Sequence, residues 1–187
     1  MRIISGNLRG KKIFEPLDKT TRPLKDLVKE SVFNIINHSN KFEINLNNSI
    51  ILDLFSGVGS FGLEALSRGA SYTIFVENYF EVLPILKKNI NYLNLNDKCL
   101  IFEKDIFQDL DFKSFTKKFD IIFLDPPFKN ENKYLLITKI YDSKILNKKG
   151  IIIMHINSNE KENFASYFNI LEEKKYGNSK IIFGNFT

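Results

Sequence analysis

The fold class follows from the run Ile50-Ile51-Leu52-Asp53-Leu54-Phe55-Ser56-Gly57-Val58-Gly59-Ser60-Phe61-Gly62, in which an apolar segment passes through a glycine turn into a helical pattern. Residues 50–55 have no solvent-facing alternation, so they predict a strand that is buried on both faces. Residues 61–68 have helical spacing, and Gly69 ends that helix. A buried strand that leads into a helix is the unit from which parallel sheets are built.

The same alternation of strands and helices continues along the chain. Further strands are predicted at 72–76, 99–103, 121–124 and 151–156, and further helices at 80–93, 134–146 and 160–167, with a short helix or loop at 108–118. The last two strands, 170–174 and 180–186, flank the turn Tyr176-Gly177-Asn178 and form a closing antiparallel hairpin. We therefore predict an α/β fold with a Rossmann-like, mainly parallel seven-stranded sheet covered on both faces.

Composition limits the classes of protein that need to be considered. The chain has 187 residues, 43% apolar content and 18 phenylalanines, which is enough for one domain with a substantial core. No apolar run approaches the ~20 residues of a membrane span, and the first residues lack the apolar stretch of a signal peptide. Cys99 is the single cysteine, so no internal disulfide is expected and a cytoplasmic location is the default. One cysteine and two isolated histidines do not predict a zinc site.

The net charge of +5 lies entirely in the first fifth of the chain. Residues 1–41 have nine basic and four acidic side chains, whereas residues 42–187 have 18 of each. Such asymmetry is typical of a phosphate-binding arm, although a solvated basic tail has the same composition. We predict an N-terminal segment, 1–41, with extended pieces and a helix over 24–37, followed by a larger domain, 42–187. The candidate RNA contacts are Arg2, Arg9, Lys11, Lys12, Arg22, Lys25 and Lys29.

The glycine turn predicts a nucleotide-cofactor pocket. Gly57, Gly59 and Gly62 match the spacing G-x-G-x-x-G, and Glu77 follows Gly57 by 20 residues, at the end of the next predicted strand. This is also the dinucleotide fingerprint, so the motif alone does not separate NAD from S-adenosylmethionine. Both ligands need a close approach to the backbone, and both place ribose hydroxyls near a carboxylate.

Three acidic positions favour the methyl donor. Asp53 at the strand end suits a cationic amino-acid group, whereas it would repel a pyrophosphate. Asp105 ends the third strand and can accept a hydrogen bond from an adenine amino group, although it could equally cap the turn that follows. Glu77 could instead be a solvent-facing strand end, and Phe107 could pack on the adenine or belong to the core. The expected cofactor-binding residues are Asp53, Phe55, Ser56, Gly57, Gly59, Glu77, Asn78, Asp105 and Ile106.

The third of these acidic positions is Asp125. It begins the motif Asp125-Pro126-Pro127-Phe128, which follows the predicted strand 121–124. The carboxylate can accept one hydrogen bond from a planar amino group, and a carbonyl fixed by the prolines can accept the other. The aromatic ring can stack on a flat base. We predict that these four residues are the catalytic group, although two prolines after a strand also occur in ordinary turns.

Several of these motifs, in this order, resemble the bacterial RsmD family, the 16S rRNA (guanine(966)-N2)-methyltransferases. The similar stretches are Met1–Gly6, Arg9-Gly10-Lys11, the helix that begins near Arg22-Pro23, the glycine motif from Asp53 to Ala70, Asp125–Phe128 and Tyr176-Gly177. The resemblance implies the fold of a class I S-adenosylmethionine-dependent methyltransferase. It also implies 16S rRNA as partner, free or within a small-subunit assembly intermediate, and we expect a monomer. Leu24 and Leu27 depart from the family's usual threonine and arginine.

Other functions remain open from the sequence. The same catalytic group would serve adenine N6 or cytosine N4, in RNA or in DNA. A non-catalytic RNA-binding assembly factor and a nicotinamide-dependent oxidoreductase are alternatives of other classes. Observed methyl transfer would exclude the non-catalytic assembly factor. Binding of S-adenosylhomocysteine but not NADH would exclude the oxidoreductase.

Overall fold

The computed structural model describes residues 1–16, 24–127, 130 and 132–187. The strands are β1 (Ile50–Leu54), β2 (Tyr72–Glu77), β3 (Cys99–Glu103), β4 (Phe119–Leu124), β5 (Leu146–Asn157), β6 (Phe168–Tyr176) and β7 (Ser179–Phe186). The helices are α1 (Asp26–His38), α2 (Ser60–Ser67), α3 (Leu83–Tyr92) and α4 (Lys133–Ser143), with short 3₁₀ turns at Asn96–Lys98 and Phe112–Ser114. Within these residues, no helix is both long enough and apolar enough to cross a membrane.

All seven strands form one sheet in the order β3-β2-β1-β4-β5-β7-β6. Strands β1 to β5 are parallel to one another, and β7 pairs antiparallel with both β5 and β6. The prediction of a mainly parallel seven-stranded sheet with a closing hairpin is therefore confirmed. The chain builds outward from β1 to β3 and then returns to β4 on the other side of β1. Ligands of such sheets bind where the strand order reverses, beside the carboxyl ends of the central strands.

The core has two layers, one on each face of the sheet. Ile51, Phe123 and Ile153 point into the layer that contains the apolar residues of α1, α2 and α3. The alternate strand positions, such as Leu52 and Ile122, point into the layer that contains α4. Side chains on both faces of the central strands therefore meet a helical layer, and this explains why β1 and β4 are largely apolar instead of alternating.

The N-terminal residues belong to the first of these layers. Ile3 and Ile13 are fully buried in the same apolar cluster as α1, α2 and α3. Arg2 and Lys12 form an antiparallel bridge that brings the two extended pieces together. The described parts of the segments 1–41 and 42–187 therefore share one core. Within the described residues, the N-terminal arm (residues 1–16) is packed against the larger domain.

Three element boundaries differ from the prediction by three residues or more. The helix predicted at 80–93 begins at Leu83, which places Pro84 in the first turn, where its missing N–H costs nothing. The helix predicted at 134–146 ends at Ser143 because Lys144 adopts a left-handed conformation (φ 54°). The chain then enters β5 at Leu146, five residues earlier than predicted.

The predicted helix at 160–167 is wrong, because this segment is irregular in the structure. Its side chains make tertiary contacts instead. Glu160 accepts hydrogen bonds from Lys133 (2.6 Å) and Tyr134 (3.0 Å), and the Phe164 ring packs edge-on against Tyr134, with ring centroids 5.0 Å apart. Eight residues gain little from helix formation alone, so these contacts determine the conformation.

Candidate active site

A cavity of about 750 Å³ opens where the strand order reverses. Its walls come from the segments that follow β1, β2, β3 and β4, together with His155 of β5. Eight of the nine predicted cofactor-binding residues line it, and Gly59 is the exception. Asp125, Pro126 and Pro127 also line it, whereas Phe128 lies outside the described residues. Predicted site residues up to 74 positions apart, from Asp53 to Pro127, thus meet in one pocket of a size typical for cofactors.

The glycine turn needs its glycines for two different reasons. Gly57 has a φ of +55°, and a Cβ on it would project into open space beside the cavity. Gly59 has a φ of +84°, and a Cβ there would lie 2.6 Å from Leu86 of α3. A side chain at Gly57 would therefore occupy space that a ligand needs, and one at Gly59 would push the turn away from α3.

Asp53 is buried at the floor of the cavity, with 1% exposure. Its Oδ2 accepts a hydrogen bond from the Gly62 N–H in the first turn of α2 (2.9 Å). Burial raises the pKa of the Asp53 carboxyl well above its ordinary value; the Gly62 hydrogen bond opposes this, and the charges of Asp125 and Glu77 add to it. A cation beside Asp53 would favour its ionised form, whereas a pyrophosphate would add to the repulsion.

Glu77 holds the glycine turn and the start of the next loop together. Its Oε2 accepts from the Gly57 N–H (2.7 Å), and its Oε1 accepts from the N–H groups of Asn78 and Tyr79 (both 2.9 Å). The side chain is not the solvent-facing strand end that we considered as an alternative, because the residue is only 9% exposed. A carboxylate has about four acceptor sites, so it keeps capacity for a ligand hydroxyl.

Asp105 combines the two roles that the sequence left open. Its Oδ1 caps the following turn by accepting from Phe107 N (2.7 Å) and Gln108 N (3.0 Å), and the residue also lines the cavity. Its Oδ2 accepts from the Asn78 side-chain amide (3.0 Å), which links the segments after β2 and β3. The cap therefore fixes the orientation of a carboxylate at the cavity wall.

Two aromatic rings form an apolar part of the cavity wall. Phe55 has a φ of +59°, an uncommon conformation for a large side chain, and its ring lies 5.7 Å from that of Phe107. Both rings line the cavity and are half-buried, while neighbouring Ile106 is buried. A flat apolar ligand such as a purine would find matching surface here.

The segment after β4 brings the predicted catalytic acid, Asp125, to the cavity wall. The Asp125 N–H donates to the Leu54 carbonyl of β1 (3.3 Å), which continues the sheet pairing by one residue. The Asn130 N–H donates to the Pro127 carbonyl (2.9 Å), so that carbonyl is already engaged.

His155 is a cavity residue to which the sequence analysis assigned no role. Its Nδ1 lies 2.8 Å from Asp125 Oδ1, and its side chain is 5% exposed. A signal was present: β4 and β5 pair in parallel with Leu124 opposite Met154, so the next residues, Asp125 and His155, end at the same level. In the sequence, a polar residue directly after the apolar run 151–154 indicates a side chain at the same sheet edge as the other site residues.

The comparison with protein families identifies the chain. The model of the family described as "Conserved hypothetical protein 95" matches residues 1–185. The chain belongs to this family. Because the match includes the N-terminal arm as well as the cavity, both are parts of the family's common pattern.

Relatives and solved structures agree with the family match. "Ribosomal RNA small subunit methyltransferase D" of Haemophilus influenzae is 31% identical over 182 residues, covering 95% of this chain and 89% of that protein. The protein of the same name from Buchnera aphidicola (of Acyrthosiphon pisum) is 33% identical over 150 residues, covering 80% and 74%. The structure of yhhF from Escherichia coli has a TM-score of 0.81 at 26% identity, covering 100% and 97%. The predicted RsmD-family membership and Rossmann-like methyltransferase fold are thus confirmed.

The basic residues of the family's N-terminal segment divide into two groups in this chain. Five of the seven predicted RNA contacts are exposed: Arg2, Arg9, Lys11, Lys12 and Lys25. Arg22 lies outside the described residues. Of the two positions that depart from the RsmD pattern, Leu24 is buried and lines the cavity, whereas Leu27 is 73% exposed.

Lys29 differs from the expectation because its side chain is fully buried and cannot reach a phosphate in this conformation. Its Nζ donates to the Arg2 carbonyl (3.1 Å) and the Ser60 hydroxyl (3.3 Å), and it lies 3.7 Å from Glu64 Oε2. Burial lowers the pKa of Lys29, and the charge of Glu64 opposes that shift. Lys29 therefore ties the arm to the start of α2, next to the glycine turn.

Glu64 is the centre of this connection. It is fully buried and accepts from the backbone N–H groups of Ile4 (2.8 Å) and Ser5 (3.0 Å) and from Arg68 Nε (2.6 Å). Separately, the buried Asn89 of α3 pairs with both backbone groups of Phe14 (2.7 and 3.1 Å). These contacts hold both extended pieces of the arm against the helices that frame the cavity.

Proposed function

We propose that this protein transfers a methyl group from S-adenosylmethionine to the exocyclic N2 of a guanine in 16S rRNA. One observation carries the proposal: two groups of residues line the same cavity. The first is the glycine turn with Asp53 and Glu77, and the second is Asp125-Pro126-Pro127. The first group suits a cationic nucleoside, and the second suits a planar amino group.

The cavity has the chemistry that S-adenosylmethionine requires. Asp53, Glu77, Asp105 and Asp125 line it, and such a concentration of acids favours a ligand with ammonium and sulfonium charges over one with a pyrophosphate. Asp53 would hold the ammonium end, Glu77 the ribose hydroxyls, and Asp105 with Phe107 and Ile106 the adenine. When bound, the donor would supply an electrophilic methyl group: the bond from sulfur to methyl breaks as the bond to the amine nitrogen forms, S-adenosylhomocysteine leaves, and the methylated amine loses one proton to water.

The residues after β4 would prepare the amine for this reaction. Guanine N2 is a poor nucleophile because its lone pair is delocalised into the ring. Hydrogen bonds from N2–H to the Asp125 carboxylate and the Pro126 carbonyl would turn the lone pair out of the ring plane and hold it in one direction. The fixed carboxylate stabilises the positive charge that develops on nitrogen. Phe128 is proposed to stack on the base, which must leave its own stack to enter the cavity.

The choice of acceptor rests on the relatives. Two relatives named small subunit methyltransferase D cover 95% and 80% of this chain, and this supports rRNA of the small subunit as the substrate. Guanine N2 and the position equivalent to 966 follow from the RsmD resemblance. The alternative acceptors, adenine N6 and cytosine N4, would fit the same two hydrogen-bond acceptors. We expect the protein to act as a monomer in the cytoplasm, on free 16S rRNA or on a small-subunit assembly intermediate.

The cofactor part of the proposal is tested by calorimetric titration with S-adenosylhomocysteine and with NADH. We expect S-adenosylhomocysteine to bind and NADH not to bind. The opposite result would overturn the methyl-donor assignment and support an oxidoreductase.

Glu77→Ala should weaken S-adenosylhomocysteine binding by about 10- to 100-fold, the loss expected when hydrogen bonds to a charged group disappear. The substitution also removes the acceptor of the Gly57, Asn78 and Tyr79 N–H groups, so the turn loses its support. Glu103→Ala is the matched control, because Glu103 pairs with Glu77 in register but is half-exposed and bonds to Lys87. Equal affinities of the two variants would contradict the assigned role.

The exposed basic side chains of the arm should bind RNA phosphates. The triple variant Arg9→Ala, Lys11→Ala, Lys12→Ala should weaken RNA binding and reduce the slope of log K against log salt by about 0.7–0.9 for each phosphate that is no longer neutralised. Affinity for S-adenosylhomocysteine should not change, because Ile3 and Ile13 keep the arm in place. Lys149→Ala, on the exposed amino-terminal part of β5, is the control. An unchanged salt slope in the triple variant would show that the arm is structural only.

A further inference from the structure

We infer that His155 is a positioning residue for Asp125, fixing the carboxylate so that one of its oxygens remains available to the substrate amine. This inference rests on the proposed function, since it concerns the acid that would bind the amine. It assigns a task to a residue that neither the sequence motifs nor the family resemblance single out.

The first observation is the contact itself. His155 Nδ1 and Asp125 Oδ1 are 2.8 Å apart, and the side chains are 5% and 20% exposed. With Asp125 ionised, Nδ1 must carry a proton and donate it. Oδ1 is thereby engaged, and Oδ2 is left to accept from an amino group. Both residues line the cavity, so the pair stands at the place where the substrate would enter.

The second observation is the setting of His155 in β5. Its neighbours Ile151, Ile152, Ile153, Met154 and Ile156 are all fully buried apolar residues. A histidine in such a strand is costly unless its polar atoms are bonded, and a leucine or isoleucine would fill the position without that cost. One contact of this ring is with the acid to which the proposed chemistry assigns the substrate amine.

The third observation is the charge around Asp125. Asp125 and Glu77 both lie close enough to Asp53 for their charges to raise the pKa of the Asp53 carboxyl. Without a hydrogen-bond donor, repulsion from the neighbouring acids would leave the Asp125 side chain in more than one rotamer. A donor held rigidly by the central sheet gives the carboxylate one orientation, and this is what a hydrogen-bonded amine requires.

Three substitutions separate the roles of the two ring nitrogens. The amide nitrogen of asparagine occupies nearly the place of Nδ1, whereas that of glutamine occupies nearly the place of Nε2. We expect His155→Ala and His155→Gln to lower kcat by about 10- to 100-fold, the size of loss that a displaced reacting group causes. His155→Asn should restore kcat to within about threefold of the wild type, and all three should leave the KM for S-adenosylmethionine nearly unchanged.

A second readout does not depend on activity. In ¹⁵N-labelled protein without cofactor, long-range imidazole spectra report which ring nitrogen carries the proton. We expect wild-type His155 to have a protonated Nδ1 and to change its spectrum in Asp125→Asn, while the signal of His38, which is exposed, should not change. A neutral ring protonated only at Nε2, or a spectrum unaffected by Asp125→Asn, would overturn the pairing.

The two readouts also distinguish this inference from the proposed function. If the wild type transfers no methyl group but the spectra show the paired histidine, the proposed function fails and the contact stands. If the wild type is active and His155→Ala keeps full kcat, or if glutamine restores activity and asparagine does not, the positioning role is refuted. A variant that merely misfolds would lose cofactor binding as well, which calorimetry would reveal.

Discussion

Asp125→Ala should lower methyl transfer by at least about 10²- to 10³-fold, the cost of removing one preorganised group that stabilises charge in a transition state. The carboxylate stands at the end of β4, held by a backbone hydrogen bond to Leu54 and by His155. Alanine removes the acceptor of the amine proton and the charge that opposes the positive nitrogen. Single-turnover rates with saturating donor and RNA would measure the loss.

Donor binding is the internal control of this experiment. The affinity for S-adenosylhomocysteine should stay within about threefold of the wild-type value, because Asp53, Glu77 and the glycine turn are untouched. Asp142→Ala, which removes an exposed acid of α4, should have no effect on either quantity. Full transfer activity in Asp125→Ala would refute the catalytic assignment.

The second large effect concerns stability. Glu64→Ala should destabilise the protein by about 3–5 kcal/mol, the cost of breaking a buried ion pair by removing one partner. It would leave Lys29 and Arg68 close together without their shared carboxylate, and it would remove the acceptor of the Ile4 and Ser5 N–H groups. We expect a fall in Tm of about 10 °C or more. Residues 1–16 should also become the first site of proteolysis.

A surface ion pair provides the comparison. Glu43 pairs with Lys149, and both side chains are largely exposed, so Glu43→Ala should leave Tm nearly unchanged. Glu64→Gln keeps the shape of the side chain but not its charge, and we expect a Tm between those of the wild type and Glu64→Ala. If Glu64→Ala melted like Glu43→Ala, the arm would not depend on the buried cluster, and another anchor such as Asn89 would have to hold it.

The architecture of the site could be predicted because it follows from short sequence patterns within single segments of the chain. Residues 50–62 show a strand, a turn and a helix in order, and three acids each lie at or just beyond the end of an apolar run. Parallel pairing then brings the carboxyl ends of those strands to one edge, so Glu77, Asp105 and Asp125 could be expected to meet. Pro84 could be expected in a first turn for the same kind of local reason.

The features that were missed depend on partners far apart in sequence. Lys29 looks like any basic residue on a helix, and its burial depends on distant partners such as the Arg2 carbonyl and Glu64, which lies 35 positions later. The segment 160–167 is composed like a helix, but contacts with Lys133 and Tyr134 hold it in another form. The contact of His155 with Asp125 depends on the register of β4 against β5, which the sequence of either strand alone does not give. Local spacing contains none of these relations.

The central claim is that the cavity methylates guanine N2 in small-subunit rRNA. The most direct test incubates the protein with labelled S-adenosylmethionine and either 16S rRNA or small subunits from cells that lack the enzyme, followed by nucleoside analysis. We predict a single labelled product, N2-methylguanosine, which the Asp125→Ala variant does not form. Label in methyladenine or methylcytosine would contradict the acceptor, and no transfer to free rRNA, assembled subunits or assembly intermediates would contradict the proposed function itself.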